Sequence, residues 1–431
     1  MRVLVLGASG FVGSATALAL SRAGHEVVAG ARRPREAARR IPALRWTRAD
    51  FAELQTAKAW RPLLEGVDAV VNCVGVLQDG PGESPRIAHE TGPAALIAAC
   101  QVAGVRRFVH LSAVGVEEGA GTAYADSKRS TEAALAASGL DWITLRPSLI
   151  LGGSVYGGTA LLRALSAFPL VVPLVGGEQS FRPVAMADLT ALIARLLEPG
   201  APSRQVLEVG GPESLTLAEL ARLNRGWLGL RPAPVLRVPR WAAAPMLWAG
   251  DLAGRLGWPS ALRSTALKQM DFNVSGDSER WSAVSGITPR TAAQALSDRP
   301  ATVADRWHAR LYFVRPAAIL SLAMFWVWTG VVTLGPGRAD ALALVTEAGY
   351  GPLAWPAWFF GAWFDVFAGL ALLVRPWTAR VALLMAAVSV GYLIAGTFAR
   401  PDLWLHPLGP WIKVLPMMAL CLFVAATEAR R

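Results

Sequence analysis

Short apolar runs alternate with alanine-rich stretches through the first 150 residues of the chain. Six runs rich in Val, Ile and Leu are predicted to be strands: "RVLVLG", "EVVAGAR", "LRWTRAD", "AVVNCVG", "RFVHLSA" and "DWITLRPS". The stretches between them predict helices over residues 10–23, 62–65, 91–103 and 123–138. Strands that stay apolar and alternate with helices are typical of a buried parallel sheet. We therefore expect residues 1–150 to form an α/β core, a Rossmann-like, doubly wound parallel sheet.

The pattern is less regular from residue 151 to about residue 304. We assign this stretch to a small substrate region, part of which is expected to pack as a return of the chain to the core domain. The stretch "SFRPVAMADLTALIARLLEPG" predicts a helix, and "QVLEVGGPESLTLAELARLNRGWLG" predicts a strand followed by a helix. Thr216 and Glu219 have the spacing of a capping box at the start of that helix. The stretch "PRWAAAPMLWAGDLAGRLGW" predicts an amphipathic helix, which either packs against protein or lies on a membrane surface.

Four apolar segments follow residue 305, over residues 311–334, 353–374, 379–398 and 407–427. Each approaches the ~20 residues that a helix needs to cross the hydrocarbon core of a bilayer. The fourth segment contains Pro416 and Lys413, whose ammonium can reach the membrane interface. We therefore expect residues 305–431 to form a transmembrane bundle of four helices.

The overall composition supports a membrane region at this end. Hydrophobic residues make up 53% of the chain and charged residues only 17%, which is apolar for a purely soluble protein. Nine of the 17 tryptophans lie from Trp307 onward, and tryptophan is enriched at membrane interfaces.

Positive charges are distributed unevenly around the apolar segments. Six arginines lie before the first segment, between the second and third segments and after the fourth, which would all be on one side of the membrane: Arg306, Arg310, Arg375, Arg380, Arg430 and Arg431. The opposite loops carry Arg338 with Asp340 and Glu347, and Arg400 with Asp402. Because Lys and Arg favour the cytoplasmic side, we expect a multi-pass protein of the inner (cytoplasmic) membrane with both termini and the catalytic domain in the cytoplasm. The apolar start "MRVLVLG" runs straight into a glycine turn, so we expect no cleaved signal peptide.

The formal net charge of +11 does not indicate a nucleic-acid partner. The arginines are scattered, whereas nucleic-acid sites concentrate basic residues in a patch. Cys73, Cys100 and Cys421 lack the spacing of disulfides or metal ligands, so we expect a reduced protein without a metal site.

Three glycines, Gly7, Gly10 and Gly13, follow the first predicted strand and precede the first predicted helix. Glycine permits a tight turn there, and the N–H groups at the start of a helix can then bind a pyrophosphate. The sequence therefore predicts a dinucleotide-binding loop. Its cofactor-binding residues are expected to be Gly7, Ser9, Gly10, Phe11, Val12 and Gly13.

The end of the second predicted strand discriminates between the two nicotinamide cofactors. An acidic residue there binds the 2′-hydroxyl of NAD, whereas arginine neutralises the 2′-phosphate of NADP. The chain has Arg32 and Arg33 at this point, with no acid before Glu36. NADP(H) is therefore favoured over NAD(H), the alternative being two solvated surface arginines.

Two further strand ends are expected to line the adenosine half of the cofactor. Asp50 and Phe51 follow the third strand, where the Asp side chain could meet the adenine amine. Cys73, Val74 and Gly75 close the fourth strand as a wall of small residues beside the ribose. Either set could instead be an ordinary strand end.

Ser112, Tyr124 and Lys128 form the predicted catalytic set. Ser112 ends the fifth strand, and the i,i+4 spacing of Tyr124 and Lys128 places both on one helix face. A free phenol has a pKa of about 10, so it needs a neighbouring ammonium to exchange protons near neutral pH. Lys128 can supply that charge and reach the nicotinamide ribose, and Ser112 can hydrogen-bond the substrate oxygen.

These residues resemble the short-chain dehydrogenase/reductase superfamily in its extended or atypical branch. The segments "GASGFVG", "ADF", "NCVG", "HLSAVG", "YADSK" and "LRPSLILG" have that family's order and spacing over about residues 1–290. The resemblance implies a Rossmann domain, a nicotinamide cofactor, a Ser-Tyr-Lys mechanism and a place for Pro147 and Ser148 beside the nicotinamide. "VVNCVGVLQD", "AHETGPAALIAAC" and "HLSAVGV" resemble the branch of the 39-kDa subunit of respiratory complex I. That branch is thought to bind NADPH without clear catalysis, and its relatives are linked to quinone metabolism.

One position departs from the extended family, whose members often have an Asn three residues before a Gly in the helix after the fourth strand. This chain has His89 before Gly92. The imidazole could relay a proton, or it could be a helix cap or a surface residue.

The last 127 residues, 305–431, resemble a DoxX-like four-helix membrane domain by composition. Asp365 lies near the middle of the second apolar segment, in "GAWFDVFAGL". An acid at that depth is costly and usually faces the bundle interior. It could handle protons or quinone, or make a structural hydrogen bond to Arg315 or to a Trp indole.

The sequence thus predicts a membrane-anchored NADPH-dependent oxidoreductase that reduces a lipophilic carbonyl or a quinone. One alternative is a non-catalytic NADPH-binding factor that assembles or stabilises a membrane redox complex. The other is a sugar-nucleotide epimerase or dehydratase, although residues 151–300 show no evident basic pocket for a second diphosphate.

Overall fold

The computed structural model describes residues 1–76, 84–117, 122–258, 261–262 and 276–428. The chain divides into two compact units. The nucleotide-binding unit consists of Met1–Asp251 with Ser260–Ala309, and the membrane unit of Leu252–Pro259 with Arg310–Arg431.

The described strands are β1 (Arg2–Leu6), β2 (Glu26–Ala31), β3 (Arg45–Arg48), β4 (Ala69–Asn72), β5 (Arg107–Leu111), β6 (Asp141–Pro147), β7 (Ile150–Leu151), β8 (Val172–Val175), β9 (Ser180–Phe181), β10 (Val184–Ala185), β11 (Gln205–Val209), β12 (Leu215–Thr216) and β13 (Val235–Val238).

The helices of the nucleotide-binding unit are α1 (Phe11–Arg22), α2 (Pro34–Arg40), α3 (Ala57–Leu64), α4 (Gly92–Ala103), α5 (Ala123–Ala136), α6 (Gly158–Ser166), α7 (Met186–Arg195), α8 (Leu217–Trp227), α9 (Arg240–Arg255), α10 (Glu279–Ser285) and α11 (Ala292–Ser297). A π-helical turn, Ile87–Thr91, precedes α4. Helix α9 continues into the first residues of the membrane unit.

Seven parallel strands form the central sheet in the order β11-β6-β5-β4-β1-β2-β3. Strand β4 lies at its centre with β1 beside it, and Val3, Leu4 and Val5 of β1 are fully buried. Hydrophobic cores cover both faces of the sheet. The strand order reverses between β1 and β4, because β2 and β3 lie on one side of β1 and β4 lies on the other. Doubly wound sheets bind their ligands at such a point, beyond the carboxyl ends of the strands. The Rossmann-like prediction is confirmed.

Two helices near the sheet differ from the prediction. Helix α2 was not predicted because "PREAARR" buries only Ala37 and therefore has no apolar stripe. Helix α3 begins at Ala57 rather than at residue 62, because the Thr56 hydroxyl accepts a hydrogen bond from the N–H of Ala59 and caps it. Pro62 lies inside the helix.

The rest of the nucleotide-binding unit contains three small two-stranded sheets and short helices. The long stretch predicted as one helix from residue 180 begins with β9 and β10, and only α7 is helical. The capping box at the start of α8 is confirmed, since Thr216 and Glu219 bond each other's backbone N–H groups.

The membrane unit contains α12 (Val303–Leu334), α13 (Arg338–Val345), α14 (Ala354–Leu372), α15 (Thr378–Ala399) and α16 (Val414–Thr427), with α12 beginning in the last residues of the nucleotide-binding unit. Among the residues that the structure describes, three segments are long and apolar enough to cross a membrane: Val303–Leu334, Arg338–Leu372 and Thr378–Ala399. The predicted fourth span is only partly helical, because α16 starts after the turns at residues 406–413 and has 14 residues.

Residues that precede the first span in sequence also belong to the membrane unit. The indole N–H of Trp258 donates to the carbonyl of Leu373 at 2.7 Å, and the guanidinium of Arg375 donates to the carbonyl of Gly257 at 3.3 Å. The Arg315 guanidinium lies over the Trp258 ring, 5.4 Å from its centroid. This segment is thereby fixed to the connection between α14 and α15.

Candidate active site

The glycine loop forms an open helix N-terminus. Helix α1 starts at Phe11 without a side-chain cap, while Ser9 and Gly10 are exposed. The N–H groups in the first turn of a helix lack partners within that helix. Their partial positive charge suits an anion, so Phe11, Val12 and Gly13 can bind a diphosphate through their backbone.

Two of the glycines are required by close packing. Gly7 has φ of +70°, and a Cβ placed on it would lie 3.0 Å from the carbonyl carbon of Cys73. A Cβ on Gly13 would lie 2.2 Å from the carbonyl oxygen of Gly7. Any larger residue at Gly13 would push the loop away from α1, so the close packing of loop and helix requires glycine at this position.

Arginines cluster at the carboxyl ends of β2 and β3. Arg32 and Arg33 are exposed, and Arg33 lies 3.6 Å from the carboxylate of Glu36. Arg48, which the sequence reasoning did not single out, donates to the carbonyl of Arg32 at 3.1 Å and pairs with Glu53. Arg48 lies near the end of the third predicted strand as Arg32 lies at the end of the second, so the same reasoning could have found it.

Asp50 and Phe51 have mainly structural contacts. The Asp50 carboxylate accepts a hydrogen bond from the N–H of Ala52 at 3.0 Å and shapes the turn after β3. The Phe51 ring is buried with its edge on Trp60, at a centroid distance of 5.6 Å. A Cβ on Gly92 would lie 2.6 Å from Phe51. The ring therefore packs in the core, which leaves the backbone of Phe51 for any cofactor contact.

The end of β4 is held in an extended form beside the glycine loop. The N–H of Cys73 donates to the carbonyl of Leu6 at 3.1 Å, and the N–H of Val74 donates to the Asn72 side chain at 3.1 Å. A Cβ on Gly75 would meet open space. Cys73, Val74 and Gly75 thus form one wall of the crevice between β1 and β4.

Lys128 joins the ends of β4 and β5. Its ammonium donates to the carbonyl of Leu111 at 2.8 Å and to that of Val74 at 3.4 Å. Ser112 follows Leu111 directly, and its buried hydroxyl has no hydrogen-bond partner among the described residues. Tyr124 lies in the first turn of α5, one turn before Lys128. The structure therefore brings the lysine of the predicted set to both the serine strand and the cofactor wall.

Burial shifts both titrating groups of this set. It raises the pKa of the Tyr124 phenol to about 12, so that the phenol carries its proton near neutral pH. It lowers the pKa of Lys128 to about 8, against the opposing effect of the Glu132 charge. In this form Tyr124 can donate a proton, and Lys128 is charged below about pH 8.

A buried ion pair next to Lys128 was not anticipated. Glu132 lies one helix turn after Lys128 and accepts two hydrogen bonds from Arg146, at 2.5 and 3.1 Å. Arg146 also donates to Glu117 at 2.6 Å. Burial opposes the charge of Arg146, but the bonds to Glu132 and Glu117 outweigh it and raise its pKa. Only the i,i+4 spacing of Lys128 and Glu132 was visible in the sequence.

His89 is fully buried and both of its ring nitrogens have partners. Nε2 accepts the N–H of Val76 at 2.9 Å, and Nδ1 lies 3.1 Å from the Ser127 hydroxyl, which donates to the carbonyl of Tyr124. The ring also packs edge-on against Tyr124, at 5.6 Å between centroids. Burial, aided by the Lys128 charge, lowers the pKa of His89 to about 2. The imidazole is therefore neutral, holds hydrogen-bond partners on both ring nitrogens and packs against Tyr124, and the expectation of a surface residue is wrong because the side chain is fully buried.

Pro147 and Ser148 end β6 and are buried. The carbonyl of Pro147 accepts the N–H of Val114 at 3.2 Å, and the N–H of Ser148 donates to the carbonyl of Val209 at 3.0 Å. They are thus fixed between the segment that follows Ser112 and the end of β11.

Two family models match separate parts of the chain. Residues 7–166 match the NAD(P)H-binding family and residues 323–422 match the DoxX-like family. The chain therefore combines an NAD(P)H-binding domain of the short-chain dehydrogenase/reductase type with a C-terminal DoxX-like domain, as the sequence predicts.

Three relatives illustrate the range of similar proteins. Sterol demethylase protein B of Methylococcus capsulatus is 27% identical over 71% of this chain and 99% of its own length. An uncharacterized protein of Mycobacterium tuberculosis is 28% identical over 60% of this chain, and this match spans only 31% of the mycobacterial protein. A mitochondrial subunit of Arabidopsis thaliana, NADH dehydrogenase [ubiquinone] 1 alpha subcomplex subunit 9, is 23% identical over 63% of this chain and 73% of its own length.

Solved structures share the fold of the nucleotide-binding unit. The NADPH complex of the NADPH-dependent quinone oxidoreductase QOR2 of Escherichia coli has a TM-score of 0.53 and 22% identity, covering 69% of this chain and 99% of that one. MoeE5 in complex with UDP-glucose and NAD has a TM-score of 0.52 and 22% identity, covering 69% and 96%. Both nicotinamide cofactors thus occur in this fold, which covers oxidoreductases and epimerase-like enzymes.

Proposed function

We propose that the protein is a membrane-anchored reductase that uses NADPH to reduce a lipophilic carbonyl compound or a quinone. The observation that carries this proposal is the placement of the Lys128 ammonium on the carbonyls of Leu111 and Val74. This puts one positive charge beside Ser112, beside the cofactor wall and one helix turn from Tyr124.

The bound nicotinamide would supply a hydride to the substrate carbon. The phenol of Tyr124 would donate its proton to the substrate oxygen, which the raised pKa of Tyr124 permits at neutral pH. The Ser112 hydroxyl, which is buried and has no described partner, would donate a hydrogen bond to the same oxygen as it gains charge. Lys128 would stabilise the phenolate that remains after proton transfer, until solvent returns the proton.

The exposed arginines support NADPH as the cofactor. Arg32, Arg33 and Arg48 meet at the ends of β2 and β3, where a doubly wound sheet binds the adenosine ribose. Guanidinium groups bind phosphate through charge-assisted hydrogen bonds. We therefore assign the 2′-phosphate to this cluster.

The lipophilic substrate class is supported by the membrane unit in the same chain. Two similar proteins have names that refer to lipophilic compounds, a sterol demethylase component and a quinone oxidoreductase. The arginine asymmetry of the loops supports a cytoplasmic position of the nucleotide-binding unit at the inner membrane.

Purified full-length protein in detergent tests the proposal through NADPH oxidation with a short-chain ubiquinone analogue or a 3-ketosteroid. We expect substrate-dependent oxidation that falls about 10²- to 10⁴-fold in Tyr124→Phe, with NADPH binding retained. Tyr312→Phe in the membrane unit is the matched control and should keep the wild-type rate.

Two outcomes would favour other functions. NADPH binding without oxidation of any such substrate would support the non-catalytic factor of a membrane redox complex. Tightly retained NAD, together with interconversion of a UDP-sugar, would support an epimerase. Equal rates in Tyr124→Phe and wild type would remove Tyr124 from the mechanism.

A further inference from the structure

Asp365 is buried in the membrane unit, and one of its two carboxyl oxygens lacks a hydrogen-bond partner among the described residues. The residue lies near the middle of α14 and is 8% exposed, and Oδ1 has no hydrogen-bond partner among the described residues. Neither structural alternative raised by the sequence is observed for this atom, since Arg315 pairs with Glu428 and the buried indole N–H of Trp326 is also unpartnered.

The α14 face around Asp365 is closed by α12. Ala362, Asp365, Val366 and Gly369 recur at helical spacing and share this face. A Cβ on Gly330 of α12 would lie 2.6 Å from both the carbonyl of Ala362 and the Val366 side chain. Gly369 would likewise meet Val327 of α12 at 2.6 Å. The two helices are therefore in close contact on both sides of Asp365, which keeps its carboxyl inside the bundle.

A phenol from α15 lies on the neighbouring turn. The Tyr392 hydroxyl is 3.2 Å from the position of a Cβ on Gly361, one turn before Asp365. Gly361 and Asp365 lie four positions apart and so share one side of α14, and the Tyr392 hydroxyl therefore approaches the side of α14 that carries Asp365. Tyr392 is 45% exposed, so its ring extends from the interior to the outer surface of α15.

A second buried acid in the membrane unit, Glu428, differs from Asp365 because it has cationic partners. Glu428 pairs with Arg315 and lies 3.5 Å from Arg375, with its side chain only 4% exposed. None of the ion pairs between described residues includes Asp365. An ionised carboxylate without a counter-ion is costly in the hydrocarbon region.

We propose that Asp365 and Tyr392 form a proton-binding site in the membrane unit. The Asp365 carboxyl holds one exchangeable proton as a neutral acid, and the Tyr392 phenol connects it with the outer surface of the bundle. This site is independent of the proposed reductase activity.

Infrared spectra of the full-length protein in detergent test the charge and the exchange of this acid. In the difference between wild type and Asp365→Asn we expect a neutral carboxylic acid band that is lost in the variant and shifts in D₂O. Loss of an ionised carboxylate band instead, or a neutral band that does not shift in D₂O, would overturn the proposal.

Labelling with dicyclohexylcarbodiimide tests the connection through Tyr392. A neutral carboxylic acid adds its O–H across one C=N bond of this lipid-soluble reagent, and the resulting O-acylisourea rearranges to a stable N-acylurea by transfer of the acyl group from oxygen to nitrogen. We expect the label on Asp365 and not on Glu428, with slower labelling in Tyr392→Phe than in the matched variant Tyr312→Phe. Label on Glu428 alone would overturn the assignment of the neutral acid to Asp365, and equal rates in both tyrosine variants would remove Tyr392 from the site.

Discussion

Both units of this protein bury charged or titratable side chains, but they treat them differently. In the nucleotide-binding unit, Lys128 donates to two backbone carbonyls, and Arg146 is held by the carboxylates of Glu132 and Glu117. In the membrane unit, the Oδ1 atom of Asp365 has no described partner. A buried charge must be paired or hydrogen-bonded to be tolerated, whereas a group that can lose its charge needs no counter-ion. The buried charges of the nucleotide-binding unit are therefore held by polar partners, whereas the Asp365 carboxyl has no counter-ion among the described residues.

Replacement of Glu132 should cause the largest loss of stability, because Glu132 is the carboxylate that neutralises the charge of Arg146. In Glu132→Gln the buried Arg146 loses its principal counter-charge, and breaking a buried ion pair costs about 3 to 5 kcal/mol of unfolding free energy. Glu117→Gln removes the exposed partner of the same arginine and should cost about 1 kcal/mol or less. Denaturant unfolding of the detergent-solubilised protein, followed by far-ultraviolet circular dichroism, measures both. Equal losses of unfolding free energy in the two variants would show that the buried and the exposed carboxylate stabilise Arg146 equally.

The exposed arginines Arg32 and Arg33 allow a test at the protein surface, where we propose that they bind the 2′-phosphate of NADPH. In the double variant Arg32→Asp, Arg33→Ser we expect the affinity for NADPH to fall by about 10- to 100-fold, since each charge-assisted hydrogen bond contributes about 1.5 to 3 kcal/mol. The affinity for NADH should be unchanged or higher. Fluorescence titration with each cofactor measures this, and Arg39→Ser on α2 is the control. An unchanged preference would place the phosphate contact elsewhere.

The pH dependence of reduction should reveal the state of Lys128. With its pKa lowered to about 8, the ammonium is present below that pH and is lost above it. Tyr124, with a pKa of about 12, stays protonated throughout. The rate should therefore be constant below about pH 8 and fall about tenfold per pH unit above it.

The Glu132→Gln variant sharpens this prediction. The Glu132 charge raises the pKa of Lys128, so its removal should move the alkaline limb to lower pH. Glu117→Gln should leave the limb in place. An alkaline limb that is the same in wild type and both variants would assign the titration to another group.

Replacement of Asp365 should have the smallest effect on stability. Asparagine has nearly the shape of a neutral aspartic acid, so Asp365→Asn should change the unfolding free energy by about 0.5 kcal/mol or less. Glu428→Gln, which leaves Arg315 and Arg375 without their carboxylate, should cost about 1 to 3 kcal/mol. Thermal unfolding of the two variants in the same detergent compares them. A larger cost for Asp365→Asn would indicate an ionised, structurally paired aspartate.

Local patterns in the sequence predicted much of the fold and of the candidate site. The apolar runs marked every strand of the central sheet, and the Thr216–Glu219 spacing marked the start of α8. The positions of Gly7 and Gly13 followed from the close approach that only glycine permits. Asp365 stood out because a single acid interrupts an apolar segment.

Contacts between distant residues could not be predicted in this way. Arg146 meets Glu117 across 29 positions, and Arg315 meets Glu428 across more than 100. The role of His89 depends on the N–H of Val76 and the hydroxyl of Ser127, which only the folded chain brings to its ring. Helix α2 was missed because its stability comes from packing of a single alanine and not from an apolar stripe.

The segment that holds Trp258 has a practical consequence for dissecting the protein. Its indole bonds to the carbonyl of Leu373, although it precedes the first span by some 45 positions. A chain cut just before residue 303 would keep this tryptophan but lose its hydrogen-bond acceptor and the Arg315 guanidinium that covers its ring. Such a fragment would expose this aromatic side chain, so a fragment designed to contain only the nucleotide-binding unit should also replace residues 252–258.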